Sequence, residues 1–449
     1  MGDFLLVLMG TVCGLTLSAG FLAGMILIFA PKLLPQNEPL LAWLNLLRKI
    51  SWHEYFEANL RAQTGKPLDR PYGTKRGILS LEKLQFNPVY LAKKSLNNYT
   101  AVDTSVVLGP LAKKPLQLKI PILIGGMAYG SGYNLAAKIA LAKAATMAGT
   151  AANSGNGPFL QEERFFAEKY IQQFTRGFWS KTETILKQAD MIEIALGHSA
   201  RGSAPVRING KKLTPEIAER YGTIPGLDVL MEARLPEVET FEQWKRLIQY
   251  LKEVTGGVPI GVKFGASHSL EQELEIYIKG GIDILTFDAT EGGTHGGAPI
   301  LMDDSGIPLL PALCRAAKFI RDRGLKNKIS LVVGGGLVTP GDFAKCLALG
   351  ADAVIVGTIT AITQSHSQTT KTIPWEPPTG LLYNDGKEKN KYNPDLGAKH
   401  LNLYFQSCVT EMKMLGGVLG KSSLRELNPG DLVTGDPLYA RITGVEYQL

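Results

Sequence analysis

The sequence has few cysteines and no motif built from them. Only four occur among 449 residues, and Cys13, Cys314, Cys346 and Cys408 are widely separated. No Cys-x-x-Cys pair or other spacing typical of zinc or iron–sulfur sites occurs, so no metal site is predicted. Isolated thiols in a chain with 45% hydrophobic residues favour free, buried cysteines in a reducing compartment.

The sequence also lacks a strong excess of charge of one sign. It carries 48 Lys and Arg against 41 Asp and Glu, which gives a net charge of +7. We see no RNA- or DNA-binding motif, and we therefore expect no nucleic-acid partner.

A third absence is charge near the N-terminus. Phe4 to Ala30 holds no charged residue over 27 positions, a length that can span a bilayer. Lys32, Arg48 and Lys49 follow this run, and the positive-inside rule then places the rest of the chain in the cytoplasm. The sequence predicts an N-terminal transmembrane helix in a single-pass protein of the inner (cytoplasmic) membrane. A cleaved signal peptide is the alternative.

Glycine, in contrast, is abundant and clustered. One cluster lies between Glu291 and Pro299, a second is Gly334–Gly336, and Gly357-Thr358 follows a later β-branched run. Strand, glycine-rich loop and helix in this order are typical of the last units of a (β/α)8 barrel, where two such loops bind a phosphate. Glycine lets the phosphate approach the backbone N–H groups. The pattern predicts a phosphate-bearing cofactor or substrate.

The chain alternates strand and helix patterns in the number that a closed parallel barrel requires. The eight predicted strands are Pro121–Met127, Gly149–Ser154, Tyr170–Arg176, Met191–Leu196, Pro259–Gly265, Ile284–Ala289, Ile329–Gly334 and Ala353–Gly357. The expected fold is an α/β (β/α)8 TIM barrel with an N-terminal transmembrane helix. The expected organisation is an anchor (1–31), a juxtamembrane arm (32–115), the barrel (116–364), and a C-terminal loop and helical extension packed on it (365–449).

Seven segments resemble the FMN-binding domain of glutamate synthase, in the same order along the chain. They are Ile124–Gly130, Ala152–Gly155, Ile171–Gly177, Met191–Ile194, Gly261–Phe264, Glu291–Thr294 and Gly334–Gly336. The chain resembles the FMN-binding glutamate synthase family over roughly residues 80–430. The resemblance implies an FMN cofactor held in a barrel.

The resemblance also assigns cofactor contacts to individual residues. Met127, Ala128, Gly293 and Thr294 would approach the ring by backbone, Ser154 and Gln173 would bond its polar edge, Lys263 would face N1 and the C2 carbonyl, and Gly335, Gly336, Gly357 and Thr358 would hold the phosphate. A cation near N1 stabilises the anionic reduced flavin. An ion pair in the barrel wall is the alternative for Lys263, and a satisfied strand-end amide is the alternative for Gln173.

The sequence departs from the family at several places. Ile362–Thr379 lacks the three cysteines of the family's iron–sulfur loop, so that cluster is not expected. Asn156 stands where the family has a glutamate, Ala195 replaces a lysine, and His198 and Arg201 stand near the family's glutamine and second lysine. We recognise neither the glutaminase domain nor an NADPH-binding module, and a complete glutamine-dependent glutamate synthase is not expected.

Four residues are predicted to take part in catalysis, namely Lys263, His198, His295 and Arg201. Each lies at or just after the end of a predicted strand, where barrel active sites are found. The histidines are candidate proton donors, and Arg201 with Arg207 could grip a carboxylate. Solvated loop arginines are the alternative. For the rim carboxylates Asp288 and Glu291, the alternative is that one of them caps the following helix.

The favoured function is a membrane-anchored FMN-dependent oxidoreductase. It would transfer hydride between FMN and an amino-acid, 2-oxo-acid or imino-acid substrate, with glutamate formation from 2-oxoglutarate and ammonia as the named case. Electrons would come from a partner such as ferredoxin or a reductase. The alternatives are a membrane-docked electron-transfer or scaffold subunit without its own substrate, and another FMN barrel reaction such as 2-hydroxy acid oxidation.

Overall fold

The computed structural model describes residues 44–46, 48–74, 76, 79–373 and 376–448. The chain divides into two units, Met1–Leu68 and Asp69–Leu449. In the first unit, helix α1 (Trp52–Thr64) begins after Ser51, whose hydroxyl accepts the N–H of Glu54 while the Glu54 carboxylate accepts the N–H of Ser51. This reciprocal cap satisfies two N–H groups that a helix start otherwise leaves unpaired.

The described strands of the second unit are mostly short, and eight of them form one parallel sheet. In chain order the strands are β1 (Gln85–Phe86), β2 (Val106–Leu108), β3 (Leu116–Leu118), β4 (Ile122–Ile124), β5 (Ala151–Asn153), β6 (Lys169–Phe174), β7 (Met191–Ala195), β8 (Val206–Ile208), β9 (Val229–Met231), β10 (Ile260–Gly265), β11 (Ile284–Asp288), β12 (Ser330–Gly334), β13 (Ala353–Val356), β14 (Leu432–Thr434) and β15 (Glu446–Tyr447).

The parallel sheet is a nearly closed barrel. Its strand order is β4-β13-β12-β11-β10-β7-β6-β5, so each strand lies beside its neighbour in the predicted series of eight. At the seam between β4 and β5, the Thr150 hydroxyl donates to the Ile122 carbonyl at 2.7 Å. The strands are almost wholly buried because helices cover their outer face, which explains their continuous apolar runs. All eight predicted strands are confirmed, and the barrel fold is confirmed with them.

The helices of the second unit cover the barrel and extend it. They are α2 (Leu135–Ala148), α3 (Gln161–Phe166), α4 (Glu183–Leu186), α5 (Pro215–Arg220), α6 (Phe241–Val254), α7 (Leu270–Gly280), α8 (Pro299–Asp303), α9 (Leu309–Asp322), α10 (Pro340–Ala348), α11 (Thr358–Ser365), α12 (Pro377–Leu382), α13 (Pro394–Val418) and α14 (Pro437–Thr443).

The predicted transmembrane helix requires a correction. The predicted span, Phe4–Ala30, lies outside the described residues, and within them no helix combines the length and apolarity needed to cross a membrane. The expectation of a membrane-anchored, single-pass protein of the inner membrane is therefore wrong on this finding. It rested on an apolar run read by its length and lack of charge alone.

Two smaller sheets position the barrel's lower end and its C-terminal segment. β2 and β3 form an antiparallel hairpin whose apolar side chains join those at the N-terminal ends of the barrel strands in one buried cluster. The N–H of Gly109, at the end of β2, donates to the Ser330 hydroxyl at 3.0 Å. β14 pairs with β1 on one side and β15 on the other. The hairpin thus closes the barrel end opposite to the predicted site.

The long stretch 365–398, which the composition predicts to be a loop, contains more structure than expected. It holds α12 and the first turn of α13, which begins after Asn393 and runs to Val418. The Asn393 side chain accepts the N–H groups of Asp395 and Leu396, and Pro394 occupies the first helical position. Both are start signals that composition alone conceals.

Candidate functional site

The loops at the carboxyl ends of the barrel strands converge on one another. A Cβ built on Gly357 would lie 3.4 Å from Cε of Met127, and a Cβ on Gly293 would lie 2.5 Å from the Thr358 hydroxyl oxygen. The loops that follow β4, β11 and β13 are therefore in direct contact. Glycine permits this approach because it has no side chain to hold the loops apart.

Inside the mouth of the barrel, three polar side chains form one buried network. The Glu193 carboxylate accepts from Nε2 of Gln173 at 2.8 Å and from Nδ2 of Asn153 at 3.1 Å. Register pairs Gln173 with Glu193 on adjacent strands, so their side chains lie side by side. The Gln173 backbone N–H donates to the Ser154 hydroxyl at 2.8 Å. The alternative for Gln173 was a strand-end amide with its hydrogen bonds satisfied. The structure shows this for the amide nitrogen only.

The remaining oxygen of that amide has no partner. Oε1 of Gln173 is buried and unbonded within the described part of the chain. Because the carboxylate of Glu193 accepts the amide's N–H, the amide oxygen must face elsewhere. A buried acceptor without a donor costs about 1–3 kcal/mol. Gln173 is therefore set to accept a hydrogen bond from a bound molecule.

Lys263 lies beside this network as part of an ion pair. Its Nζ is 3.1 Å from Oδ2 of Asp288, and both side chains are largely buried. Burial lowers the pKa of Lys263, but the carboxylates of Asp288 and Glu193 outweigh burial and hold it above its ordinary value. The lysine is thus a fixed cation at the mouth. The ion pair named as the alternative exists, at the end of the strands rather than deep in the wall.

The predicted phosphate loops lie next to each other at the same rim. Gly335 and Gly336 have φ of +141° and +65°, which side chains rarely adopt. Gly357 is the N-cap of α11, so the first N–H groups of that helix, starting at Thr358, open toward the rim. A helix N-terminus with adjacent glycines provides N–H donors and a positive dipole end for an anion.

The predicted histidines are both buried. Burial lowers the pKa of His198 to about 4; Asp288 opposes this effect, while Lys263 and Arg201 add to it. Burial also lowers the pKa of His295, whose ring centroid lies 4.5 Å from that of Tyr383. Both imidazoles are therefore neutral near pH 7, and each can offer one N–H donor and one acceptor.

Arg201 bridges the loops that follow β7 and β11. Its Nε donates to the Gly296 carbonyl, and its guanidinium lies 3.8 Å from the Asp69 carboxylate. The segment that begins at Asp69 crosses the same loop, because the Tyr72 N–H donates to the Thr294 carbonyl at 3.0 Å. Arg201 and Thr294 thus belong to one wall of the mouth.

Two other rim residues have structural partners. Arg207 is exposed, lies in the antiparallel β8–β9 pair and forms an ion pair with Asp228. Both oxygens of the Glu291 carboxylate accept the N–H of Leu309, the first residue of α9. Glu291 is therefore the helix-capping carboxylate of the two considered. Of the cysteines, Cys314, Cys346 and Cys408 are free, and Cys13 lies outside the described residues.

Sequence reasoning missed the lysine beneath these loops. Lys138 of α2 is fully buried, and its Nζ donates to the carbonyls of Met127, Asn153 and Ser154. A charged residue among the alanines and leucines of the helix's buried face was the available signal. Glu193 lies in the matching segment Met191–Ile194, and its signal is a single carboxylate in an otherwise apolar, wholly buried strand.

The family assignment follows from comparison with known proteins. The family described as the conserved region in glutamate synthase matches residues 80–422. The chain belongs to this family. A glutamate synthase large subunit-like protein of Rhizobium meliloti (strain 1021) is 30% identical over 406 residues, which cover 86% of this chain and 91% of that protein.

The archaeal-type glutamate synthases (NADPH) are longer relatives. That of Thermotoga maritima is 29% identical over 326 residues, which cover 72% of this chain but 64% of the relative. Among solved structures, a mandelate oxidase mutant with benzaldehyde has a TM-score of 0.49 at 17% identity, over 78% of this chain and 86% of that one. As a member of the glutamate synthase family, the chain is an FMN-dependent oxidoreductase.

The residues at the barrel mouth fit FMN. The buried, unbonded Oε1 of Gln173 matches the N–H donor at the polar edge of the isoalloxazine ring. Lys263 supplies a cation, and the loops around Gly335 and Gly357 supply an anion site at a helix start. A Cβ on Gly126 would lie 2.7 Å from Oδ1 of Asn153, so the packing leaves no room for a side chain at this position. An unbonded buried acceptor, a buried cation and a helix start flanked by glycine are thus combined at one rim.

Proposed function

We propose that this glutamate synthase-family protein transfers hydride between FMN and an amino acid or the corresponding imino acid. The specific reaction we propose is the formation of glutamate from 2-oxoglutarate and ammonia. One observation carries the proposal: the unbonded Gln173 oxygen and the Lys263 cation lie at the same barrel mouth. In this proposal the flavin, when bound, accepts or donates the two electrons of the reaction.

The proposed roles at the cofactor follow the predicted assignments. Met127, Ala128, Gly293 and Thr294 would line the ring by backbone, Ser154 and Gln173 would bond its polar edge, Lys263 would face N1 and the C2 carbonyl, and Gly335, Gly336, Gly357 and Thr358 would hold the phosphate. Support comes from the contacts between these loops and from the ties that fix Gln173 and Lys263.

The proposed substrate residues are His198, His295 and Arg201. A neutral His198 would donate a hydrogen bond to the carbonyl oxygen or the imine nitrogen of the substrate. Its other ring nitrogen, which carries no proton, would be available to accept one. Arg201 would attract the substrate carboxylate, although its Nε is already used by Gly296. Ala195, which lies beside Lys263 in register, offers no cation of its own. A panel of substrates must therefore include acids with one and with two carboxylates.

The electron donor is proposed to be a separate protein such as ferredoxin or a reductase. Single-turnover measurement tests the reaction without that partner. The holoprotein is reduced photochemically without oxygen and mixed with 2-oxoglutarate and ammonia. We expect the flavin to reoxidise and about one glutamate to form per flavin. The matched controls omit ammonia or use His198→Gln, and both should reoxidise far more slowly.

Each other outcome of that experiment identifies a different function. Reoxidation by a one-carboxylate 2-oxo acid with ammonia, but not by 2-oxoglutarate, would keep the chemistry and change the substrate. Reduction of the oxidised flavin by 2-hydroxy acids alone would favour 2-hydroxy acid oxidation. A flavin that exchanges electrons with reduced ferredoxin but with no organic acid would overturn the proposal in favour of an electron-transfer subunit.

A further inference from the structure

Lys138 lies on the buried face of α2, beneath the loops that follow β4 and β5. Its ammonium nitrogen is 2.7 Å from the Met127 carbonyl oxygen, 2.9 Å from that of Asn153 and 3.1 Å from that of Ser154. Three backbone carbonyls, one from the loop after β4 and two from the end of β5 and the residue after it, therefore share one buried cation. An arrangement of this kind fixes the loops relative to each other because a bare ammonium in this position would otherwise be very costly.

The charge of Lys138 is balanced from the opposite side. Its Nζ is 2.8 Å from Oε1 of Glu163 in α3, and both side chains are fully buried. The Tyr170 hydroxyl donates to Oε2 of Glu163 at 3.2 Å. A buried ion pair of this kind is a weak source of stability, because desolvation cancels much of the attraction. Its position beneath the site suggests a different reason for its presence.

The Met127 carbonyl determines the direction of the next N–H group. A trans peptide places its C=O and N–H on opposite sides, so a carbonyl held by Lys138 turns the Ala128 N–H away from that lysine. Gly155 packs on the same peptide, since a Cβ there would lie 2.5 Å from the Met127 carbonyl carbon and 2.7 Å from the Ala128 nitrogen. The Ala128 carbonyl is held by the Tyr133 N–H at 2.7 Å.

The Ala128 N–H itself has no acceptor among the residues that the structure describes. Its peptide is clamped by Lys138 below, by Gly155 on one face and by Tyr133 at the following carbonyl. A backbone donor held so firmly without an acceptor is prepared for one that arrives with a ligand.

We propose that Lys138 is a positioning residue for the flavin. Through the Met127 carbonyl it presents the Ala128 N–H to the edge of the isoalloxazine ring, and through Asn153 and Ser154 it holds the loop that carries the Ser154 hydroxyl. Glu163 and Tyr170 keep the ammonium in place. The proposal rests on the proposed ring position, but it does not depend on which substrate the enzyme uses.

The test removes the buried charges as a pair. Lys138→Met alone leaves Glu163 buried without a counter-charge, so the main variant is Lys138→Met/Glu163→Gln, in which the glutamine can still accept from Tyr170. The matched control is Lys143→Met, five residues further along α2, where Lys143 pairs with Asp395 at the surface. Apoproteins are titrated with FMN, and visible spectra and midpoint potentials are recorded for the holoproteins.

We expect the double variant to keep its circular dichroism spectrum and to bind FMN about tenfold more weakly, equivalent to about 1.4 kcal/mol. Its flavin spectrum and midpoint potential should also shift, because a hydrogen bond at the ring is lost. Lys143→Met should match the wild type in all three measurements. Wild-type affinity, spectrum and potential in a folded double variant would overturn the proposal.

A measurement on the unmodified protein tests the proposed Ala128 contact on its own and is decisive for that contact even if the double variant does not fold. Amide hydrogen exchange of Ala128 is compared in the apoprotein and with saturating FMN. We expect the exchange of this amide to slow at least about tenfold, as for a donor that gains a bonded partner. An unchanged rate at Ala128, with slowed exchange elsewhere at the mouth, contradicts the proposal. Failure of the substrate panel would affect neither result.

Discussion

At the scale of single residues, the charge of Lys263 matters most for the proposed cofactor site. The anionic reduced flavin would be stabilised by an unpaired cation about 4 Å away by ~2–4 kcal/mol. Asp288 lies 3.1 Å from the ammonium and offsets part of this field. The Asp288 charge remains when the lysine is removed, so we expect Lys263→Met to lower the flavin midpoint potential by about 40–90 mV, equivalent to ~2–4 kcal/mol. Potentiometric titration of the holoprotein measures this directly.

The control for Lys263 separates the field from the loss of structure. Lys263→Met leaves Asp288 buried without its partner, so Lys263→Met/Asp288→Asn is compared with it. The double variant should be more stable than the single variant, because both charges of the pair are removed together. Its flavin midpoint potential should also rise back toward the wild-type value. If the single variant keeps the wild-type potential while folding normally, Lys263 does not lie beside the flavin.

His198 predicts a pH dependence of stability. Its pKa is about 4 in the folded protein and 6.5 in the ordinary reference state. Below pH 6.5 the unfolded chain takes up the proton first, so stability is fully present above pH 6.5 and is lost as the pH falls toward 4. The difference corresponds to about 3 kcal/mol between pH 7 and 4. Urea unfolding across this range measures it.

The matched variant for this effect is His198→Gln. It keeps a polar side chain of similar size but has no proton to take up in this window. The unfolding free energy of the variant should therefore fall less steeply than that of the wild type between pH 6.5 and 4. Parallel curves for the two proteins would show that His198 is not buried as a neutral base.

At the scale of elements, the start of α11 provides a test of the phosphate site. Gly357 is the N-cap, and a Cβ there would meet only the flexible end of Met127, at 3.4 Å. Gly357 has ψ −85° rather than the extended ψ of a usual N-cap, so we expect Gly357→Asp to gain no capping bond and to leave thermal stability about unchanged. The same carboxylate should weaken FMN binding by at least about tenfold, since it occupies the anion site with like charge.

Gly357→Ala is the control for the side chain without the charge. It should weaken FMN binding less than the aspartate does, because a methyl group fits beside Met127 and brings no negative charge. Calorimetric titration of the apoproteins with FMN and thermal melts of the same samples give both quantities. Equal FMN affinity of the aspartate and alanine variants would mean that the phosphate is bound elsewhere.

The elements also show what a single sequence can predict. The barrel strands were predictable because they are short, mostly apolar runs at regular intervals, several of them rich in β-branched residues, as at Ile284–Asp288 and Ala353–Val356. Rim positions followed from the strand ends. The role of Lys138 was not predictable, because its three carbonyl partners come from loops whose meeting depends on the folded barrel. Likewise, α12 lies in a stretch whose polar composition resembles a loop.

At the scale of the whole molecule, the C-terminal extension is part of the barrel's own packing. α13 lies against α2 and α11, the first and last helices around the barrel, and thereby covers the seam region. The side chain of Lys143 in α2 forms an ion pair with Asp395 in the first turn of α13. The residues beyond the barrel therefore support the helix that holds Lys138 and the helix whose start is the proposed phosphate site.

This arrangement predicts that α13 and the flavin site unfold together. Leu401 of α13 is fully buried, whereas Leu403, two residues further, is about half exposed. Leu401→Ala should lower the unfolding free energy by about 3 kcal/mol, because it leaves a cavity against the barrel helices. Leu403→Ala should change it by less than about 0.5 kcal/mol. In urea, the unfolding midpoint of Leu401→Ala should fall by the same amount whether it is followed by far-ultraviolet circular dichroism or by flavin fluorescence. A shift in circular dichroism alone, with flavin release at the wild-type midpoint, would show that the extension unfolds independently of the site.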